Sequence, residues 1–481
     1  MARMPQPFRL RGRSRMELDA LALLEDAVRD AYGFVELRYH RKVACAVSVE
    51  KGRIERTQSR RRSGVGVRVL DGGGWGFAST SKVELASVRS AVEAARAAAR
   101  ASAKRRTHRL AALPSTDLAR GRYELPGVQE VLARPLEDKI AMAIRFENAT
   151  RRACAAVQAA TCSYSEFLEE KAIVTTDGAA ASFRLVRPEL RIQAVAEKDG
   201  QLSTGYESVG ATGGWECLFR NGSGEHFAEK AARTATDLLA AGHPEGGKAT
   251  VILAPSIVGL LVHEAIGHTV EADFVQAGSV AAGKLGQRVA SDLVTLCDSG
   301  ASEFYEGAGG TLPVDDEGVL AGKTVIIEQG RLVSYLHNRE SAARYGVRPT
   351  GNARAWEYSD QPLIRMPNTY LEPGTSTLEE MIASTADGYL LDGPRNGQAD
   401  ATGEFMFGVQ EARRIRNGRL GELVRGVTIS GIAFEVLASV DAVSDRFRWD
   451  LGSGYCGKGQ PAKVDAGGPY IRCQALLGGQ Q

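Results

Sequence analysis

The run APSIVGLLVHEAIGHTVEADF, residues 254–274 of the 481-residue chain, sets the tightest limit on what the protein can become. Ile257, Val258, Leu260, Leu261, Val262, Ala265 and Ile266 would bury most faces of a short helix, with Ser256 as its N-cap. Inside that apolar segment sit His263, Glu264 and His268. Two imidazoles and a carboxylate in such a place are unfavourable without compensation, and a metal ion is the commonest compensation.

The spacing is unusual. Histidines at i and i+4 lie roughly 40° apart around an α-helix and point the same way, whereas i and i+5 leaves them roughly 140° apart. A single π-type bulge adds about one residue to the turn and brings both rings to one side. Gly267, directly before the second histidine, makes such a distortion cheap. An irregular turn is therefore expected here, with Glu264 placed between two metal ligands and within reach of a water. The competing reading is a pair of core histidines held by backbone hydrogen bonds.

Length alone allows two or three domains with proper cores. The 54 glycines point to many turns and hence many strands, and the net charge of +2 gives no reason to expect a nucleic-acid partner. Seven scattered cysteines without a C-x-x-C pair suit free thiols in a reducing, cytoplasmic setting. No segment is long and apolar enough for a signal peptide or a membrane span. Residues 1–15 read as a basic, disordered tail, and Met16 is an alternative start to Met1.

Residues 16–242 read as an α+β domain of helices on antiparallel sheet. Helices are expected at 16–32, 83–104, 136–160 and 224–241, with short alternating strands between them, including FVELRYHR, VACAVSVEKG and RIERTQSRR. The order helix–strands–helix occurs twice, which hints at an internal duplication. The punctuation AGHPEGGKA marks a boundary near 242–248. Residues 243–481 read as a mostly-β, barrel-like domain that carries the histidine helix, with a helix at 376–386 and strands in SDLVTLCDS, KTVIIEQGRLVSYL, EFMFGVQEARRIRNGRL and ELVRGVTIS.

Two histidines leave a catalytic zinc one protein ligand short. Glu271 and Asp273 are the near candidates, and Cys456 in LGSGYCGKGQ is the far one; the residues alone leave Glu271 and Cys456 both open. HEAIGHTVEADF, followed in order by YLHNRESAARYG, RPTGNAR, RMPNTYLEPG, NGQAD, GVTISG and CGKGQ, resembles the TldD/PmbA family of metallopeptidases, in its TldD-type form that keeps H-E-x-x-x-H. GVGVRVL and WGFAST are similar to that family's N-terminal half. The resemblance implies zinc held by His263, His268 and Cys456, with Glu264 as acid/base. It also implies a cytoplasmic dimer, of two copies or of this chain with a family paralogue, acting on unfolded protein or peptide. Two departures stand out: the CGKGQ loop is one residue shorter than the family's usual form, and RPTGNARAW lacks a second arginine after the asparagine.

The chemistry these residues suit is metal-assisted peptide hydrolysis, Glu264 taking a proton from water and returning it to the leaving amine. A non-hydrolytic peptide-binding or scaffold subunit with a structural zinc is the alternative, although a closed structural site has no need of Glu264. His337 is weighed between a hydrogen bond to the reacting group and a structural role. Arg354 and Arg365 are weighed between binding a substrate and forming structural ion pairs. Glu271 and Asp273 are expected to orient a ligand histidine.

Overall fold

The structure is a computed structural model and describes residues 9–10, 19–106, 109–110, 112–301, 307–450 and 452–479. Most of the expected basic tail lies outside these residues. Within it, Arg9–Leu10 form a two-residue strand against Arg120–Glu124.

The N-terminal half is built from two units of the same plan. The first comprises α1 (Ala20–Val28), β1 (Phe34–Glu50), β2 (Arg53–Asp71), β3 (Gly74–Thr80) and α2 (Leu85–Ala103). The second comprises α3 (Leu136–Ala153), β4 (Val157–Thr175), β5 (Ala180–Lys198), β6 (Gln201–Gly210) and α4 (Gly224–Leu239). Each unit is an antiparallel meander, and the two first strands pair with each other, Glu36 opposite Thr175 through Glu50 opposite Thr161. One eight-stranded sheet therefore runs through both units. Helices α1 and α2 bury Val35, Leu37, Val65, Val67 and Val69, while α3 and α4 bury Val47, Val49, Cys162 and Ile192.

The strands are far longer than the sequence suggests. FVELRYHR and VACAVSVEKG are not two strands but one of 17 residues, and RIERTQSRR continues into GVGVRVL as one of 19. The polar run His40-Arg41-Lys42 looks like an interruption, yet it faces complementary charge across the sheet. His40 Nε2 lies 3.0 Å from Glu169, Arg41 pairs with Glu170 at 2.6 Å, and the Lys42 ammonium sits 2.8 Å from the Trp356 ring centroid.

In the C-terminal half, β7 (Gly247–Leu253), β8 (Asp387–Ala399), β9 (Glu404–Arg416), β10 (Thr428–Ile432) and β11 (Ile471–Gly478) close into a ring in the order β8–β7–β11–β10–β9 and back to β8. The barrel-like reading holds. Strands β8 and β11 have no counterpart in the sequence reading, and β8 absorbs Gly393-Pro394 and Asn396-Gly397 in a register shift. Beside the barrel lies a six-stranded sheet in which Leu296–Ser299, Asn368–Leu371 and Asp465–Gly468 are neighbours. The largest core fills the barrel and extends under the histidine segment, through Val258, Val262, Ala265, Ile266 and Val270 to Met366 and Leu371. Among the described residues, no helix is long and apolar enough to cross a membrane.

Candidate metal centre

Strand β7 feeds a helix at Pro255–Leu261 with Pro255 in its first turn. Ser256 is not its N-cap. Ala254 occupies that place, and the Ser256 hydroxyl donates instead to Asp392 at 3.0 Å. Gly259 lets the helix lie on bare backbone, since a Cβ there would meet Ala466 and Gly467 at 2.8 Å.

From Val262 to Gly267 the helix widens into a π turn, closed by the His268 N–H donating to the His263 carbonyl. The extra residue brings the two rings together, with centroids 5.3 Å apart and planes at 82°. Gly267 serves a different purpose from the expected one. Its backbone is ordinary helix, φ −55°, but a Cβ would come within 1.9 Å of the sulfur of fully buried Met366. Glycine is required here by packing, not by the bend.

Three donor atoms converge, from His263, His268 and Cys456, all within 4.8 Å of one another. His263 is buried, with Nδ1 3.3 Å from the Thr369 hydroxyl, which itself donates to Asp298 at 3.1 Å. Because the hydroxyl proton is committed to Asp298, Nδ1 of His263 must be the donor and Nε2 carries the lone pair. That Nε2 is buried and has no hydrogen-bond partner. An orphaned imidazole nitrogen beside a thiol and a second histidine fits zinc, which takes nitrogen and sulfur ligands.

His268 is set in the same way by a carboxylate. Its Nδ1 lies 3.2 Å from Glu271, leaving Nε2 toward the cluster, 3.8 Å from Glu264. Burial works to lower the His268 pKa, but the charges of Glu271 and Cys456 outweigh it and push it up to about 10. Burial also works to raise Glu271, yet His268 and Lys458 hold its carboxyl below the ordinary value. Glu271 grips the outer nitrogen of His268 and lies outside the group of three donor atoms.

Cys456 lies on a hairpin, opposite Ala462. Arg365 donates to its Sγ at 2.7 Å and to its carbonyl oxygen at 2.8 Å. Burial works to raise the Cys456 thiol pKa; His263, His268 and Arg365 together hold it well below the usual range. Glu264 is the accessible member, its side chain 31% exposed on the turn between the two histidines.

The other singled-out residues take structural partners. Asp273 does not touch a histidine; it accepts from Lys458 at 2.7 Å, and the same ammonium holds Glu271 at 2.8 Å. His337 is buried, bonds Ser341 at 3.1 Å and packs on Tyr345, and burial pushes its pKa down to about 4. Among the described residues neither Arg354 nor Arg365 pairs with a carboxylate. Arg354 donates to the carbonyls of Met366 and Lys463, and Arg365 to those of Cys456 and Gln460. Sequence reasoning missed Asp298 and Thr369, which are register partners on adjacent strands beneath His263. It also missed Lys458, although that residue lies two places after the cysteine.

The fold and the site define a mixed α/β protein whose C-terminal half brings two histidines of a π turn to a cysteine on a hairpin. Residues 246–477 match the PmbA/TldA metallopeptidase C-terminal domain, residues 35–99 its domain 1 and residues 130–239 its central domain. A metalloprotease of Methanothermobacter thermautotrophicus is 33% identical over 96% of this chain and 99% of its own. A metalloprotease TldD homolog of Haemophilus influenzae is 33% identical over 86% of each chain. A zinc metalloprotease TldD homolog of Saccharolobus solfataricus is 38% identical over 48% of this chain and 52% of its own. The structure of TldE from Thermococcus kodakarensis matches the fold with a TM-score of 0.76 at 19% identity, over 96% of this chain and all of that one, 100%. The chain belongs to the PmbA/TldD metallopeptidase family. Relatives named metalloproteases support a metallopeptidase role for it.

Proposed function

We propose that this protein is a zinc-dependent peptidase that hydrolyses peptide bonds in unfolded proteins or peptides. The observation that carries the reading is the buried, unpartnered Nε2 of His263 within 4.8 Å of the donor atoms of His268 and Cys456. These three residues would hold the zinc, one ion per active chain. Zinc supplies Lewis acidity toward a peptide carbonyl and a water.

The chain's own residues do the rest. Asp298 and Thr369 orient the ring of His263, and Glu271 orients that of His268, so each turns its Nε2 to the cluster. Arg365 keeps the Cys456 sulfur in its thiolate form. Glu264, exposed enough to meet water and substrate, accepts the proton of the attacking water and delivers it to the departing amine. A thiolate donates more electron density than a carboxylate would, so turnover is expected to be slow. Free cysteines are in keeping with a cytoplasmic site of action. We place the working form as a dimer, of two copies or with a family paralogue. In Glu264→Ala, hydrolysis of an unstructured peptide should vanish while about one zinc per chain remains; unchanged cleavage would overturn the mechanism.

A further inference from the structure

The cysteine hairpin is gripped from outside its own domain. Tyr455 and Lys463 are cross-strand partners on that hairpin, next to Cys456 and Ala462. Both reach the same atom, Oε1 of Glu189 on strand β5 of the N-terminal sheet; the lysine does so at 2.5 Å. Two residues along β5 on the same face, Arg191 donates to the Ser453 carbonyl at 2.7 Å and lies 3.3 Å from the other oxygen of Glu189. The Ser453 hydroxyl donates to Ser208 of β6 at 2.9 Å. Just before it, the backbones touch, since a Cβ on Gly210 would meet the Gly452 carbonyl at 2.0 Å.

Glu189 and Lys463 are 2% and 1% exposed. A charge pair so deeply buried is poor evidence for stability, because desolvation offsets most of the attraction. What such a pair does supply is a single permitted geometry. Two donors from opposite strands of one short hairpin converge on one carboxylate oxygen, which sets both the height and the twist of that hairpin against β5. Nothing in the peptidase reading uses Glu189, and the histidines, Arg365 and Arg354 all belong to the C-terminal half.

We infer that Glu189 is a positioning residue for the Cys456 sulfur: the N-terminal sheet, through Glu189 acting on Tyr455 and Lys463, completes the third ligand of a centre whose other two ligands the barrel half supplies alone. The inference rests on the metal reading above, and the test separates the two. Outer partners of this kind contribute about 10- to 100-fold to metal affinity.

The probe is cobalt(II), titrated into the full-length chain, with affinity read from chelator competition and sulfur ligation from the thiolate-to-cobalt charge-transfer absorption. The parent should show that absorption and Cys456→Ala should lack it; absorption persisting in Cys456→Ala would sink the metal reading itself. Glu189→Gln combined with Lys463→Met removes the buried charges as a unit, and Tyr455→Phe removes one contact at a half-exposed ring without disturbing folding. Both should weaken cobalt binding about 10-fold or more and reduce the charge-transfer intensity per bound ion, while circular dichroism stays that of the parent. Parent affinity and parent absorption in Tyr455→Phe and in the double variant would overturn the role assigned to Glu189. Should the double variant fail to fold, Tyr455→Phe decides.

Discussion

Thr369→Val isolates the contact that presents His263. The two side chains are nearly isosteric, and Thr369 is fully buried, so the change removes one hydroxyl and little else. Two groups lose their partner at once: Nδ1 of His263, 3.3 Å away, and Asp298, 3.1 Å away. Asp298 keeps Asn352 at 2.7 Å on its other oxygen, so the imidazole carries most of the loss. An unsatisfied buried polar group costs about 1–3 kcal/mol. If the ring turns to recover a partner, Nε2 no longer points at the cluster, and loss of such an orienting contact lowers metal affinity about 10- to 100-fold, equivalent to about 1.4–2.7 kcal/mol. The two routes agree in size. Zinc affinity measured by chelator competition should therefore fall about 10- to 100-fold, and the stabilisation that zinc gives in urea denaturation should shrink by the same free energy. Affinity within twofold of the parent would show that the hydroxyl does not set the tautomer.

Further outcomes are specific to other parts of the structure. Gly267→Ala should destabilise the chain by about 1–3 kcal/mol in urea denaturation, because its Cβ lands on the Met366 sulfur, and Met366→Ala in the same chain should return part of that. His40 and His337 are held neutral by burial, each pushed down to about 4 from an ordinary 6.5. A base whose folded pKa lies below its unfolded one binds protons more readily when unfolded, so stability is full above about pH 6.5 and falls as pH drops toward 4. Denaturant midpoints at pH 7 and pH 5 should show this fall, and His337→Gln should make it shallower; an identical slope would remove His337 from the account. Glu36 works in the opposite direction. Burial raises its carboxyl to about 7, so its contribution is present at acid pH and lost as pH rises through that value, and Glu36→Gln should gain stability relative to the parent between pH 5 and pH 8.

The histidine turn was the most legible part of the sequence because its signal is local. Two histidines five apart in an apolar run require a turn that is not α-helical, and the π turn from Val262 to Gly267 is that turn. Cys456 is a different case, separated from the histidines by some two hundred residues of chain, and nothing in its neighbours distinguishes it from Glu271. Only the resemblance did so. The supporting contacts were hidden for the same reason: Asp298 meets Thr369 through sheet register, which pattern reading does not supply. Long-range pairing also explains the misjudged strands. His40, Arg41 and Lys42 break the apolar alternation of β1, and the acids that make them tolerable, Glu169 and Glu170, lie on β4. The barrel itself was visible only as a strand-rich half, since β8 contains residues that normally mark turns.

X-ray absorption at the zinc edge of the zinc-loaded chain addresses the central claim most directly. The account predicts one sulfur scatterer at about 2.3 Å and two imidazole nitrogens at about 2.0 Å, with the sulfur lost in Cys456→Ala. A shell of nitrogen and oxygen alone in the parent protein would contradict it.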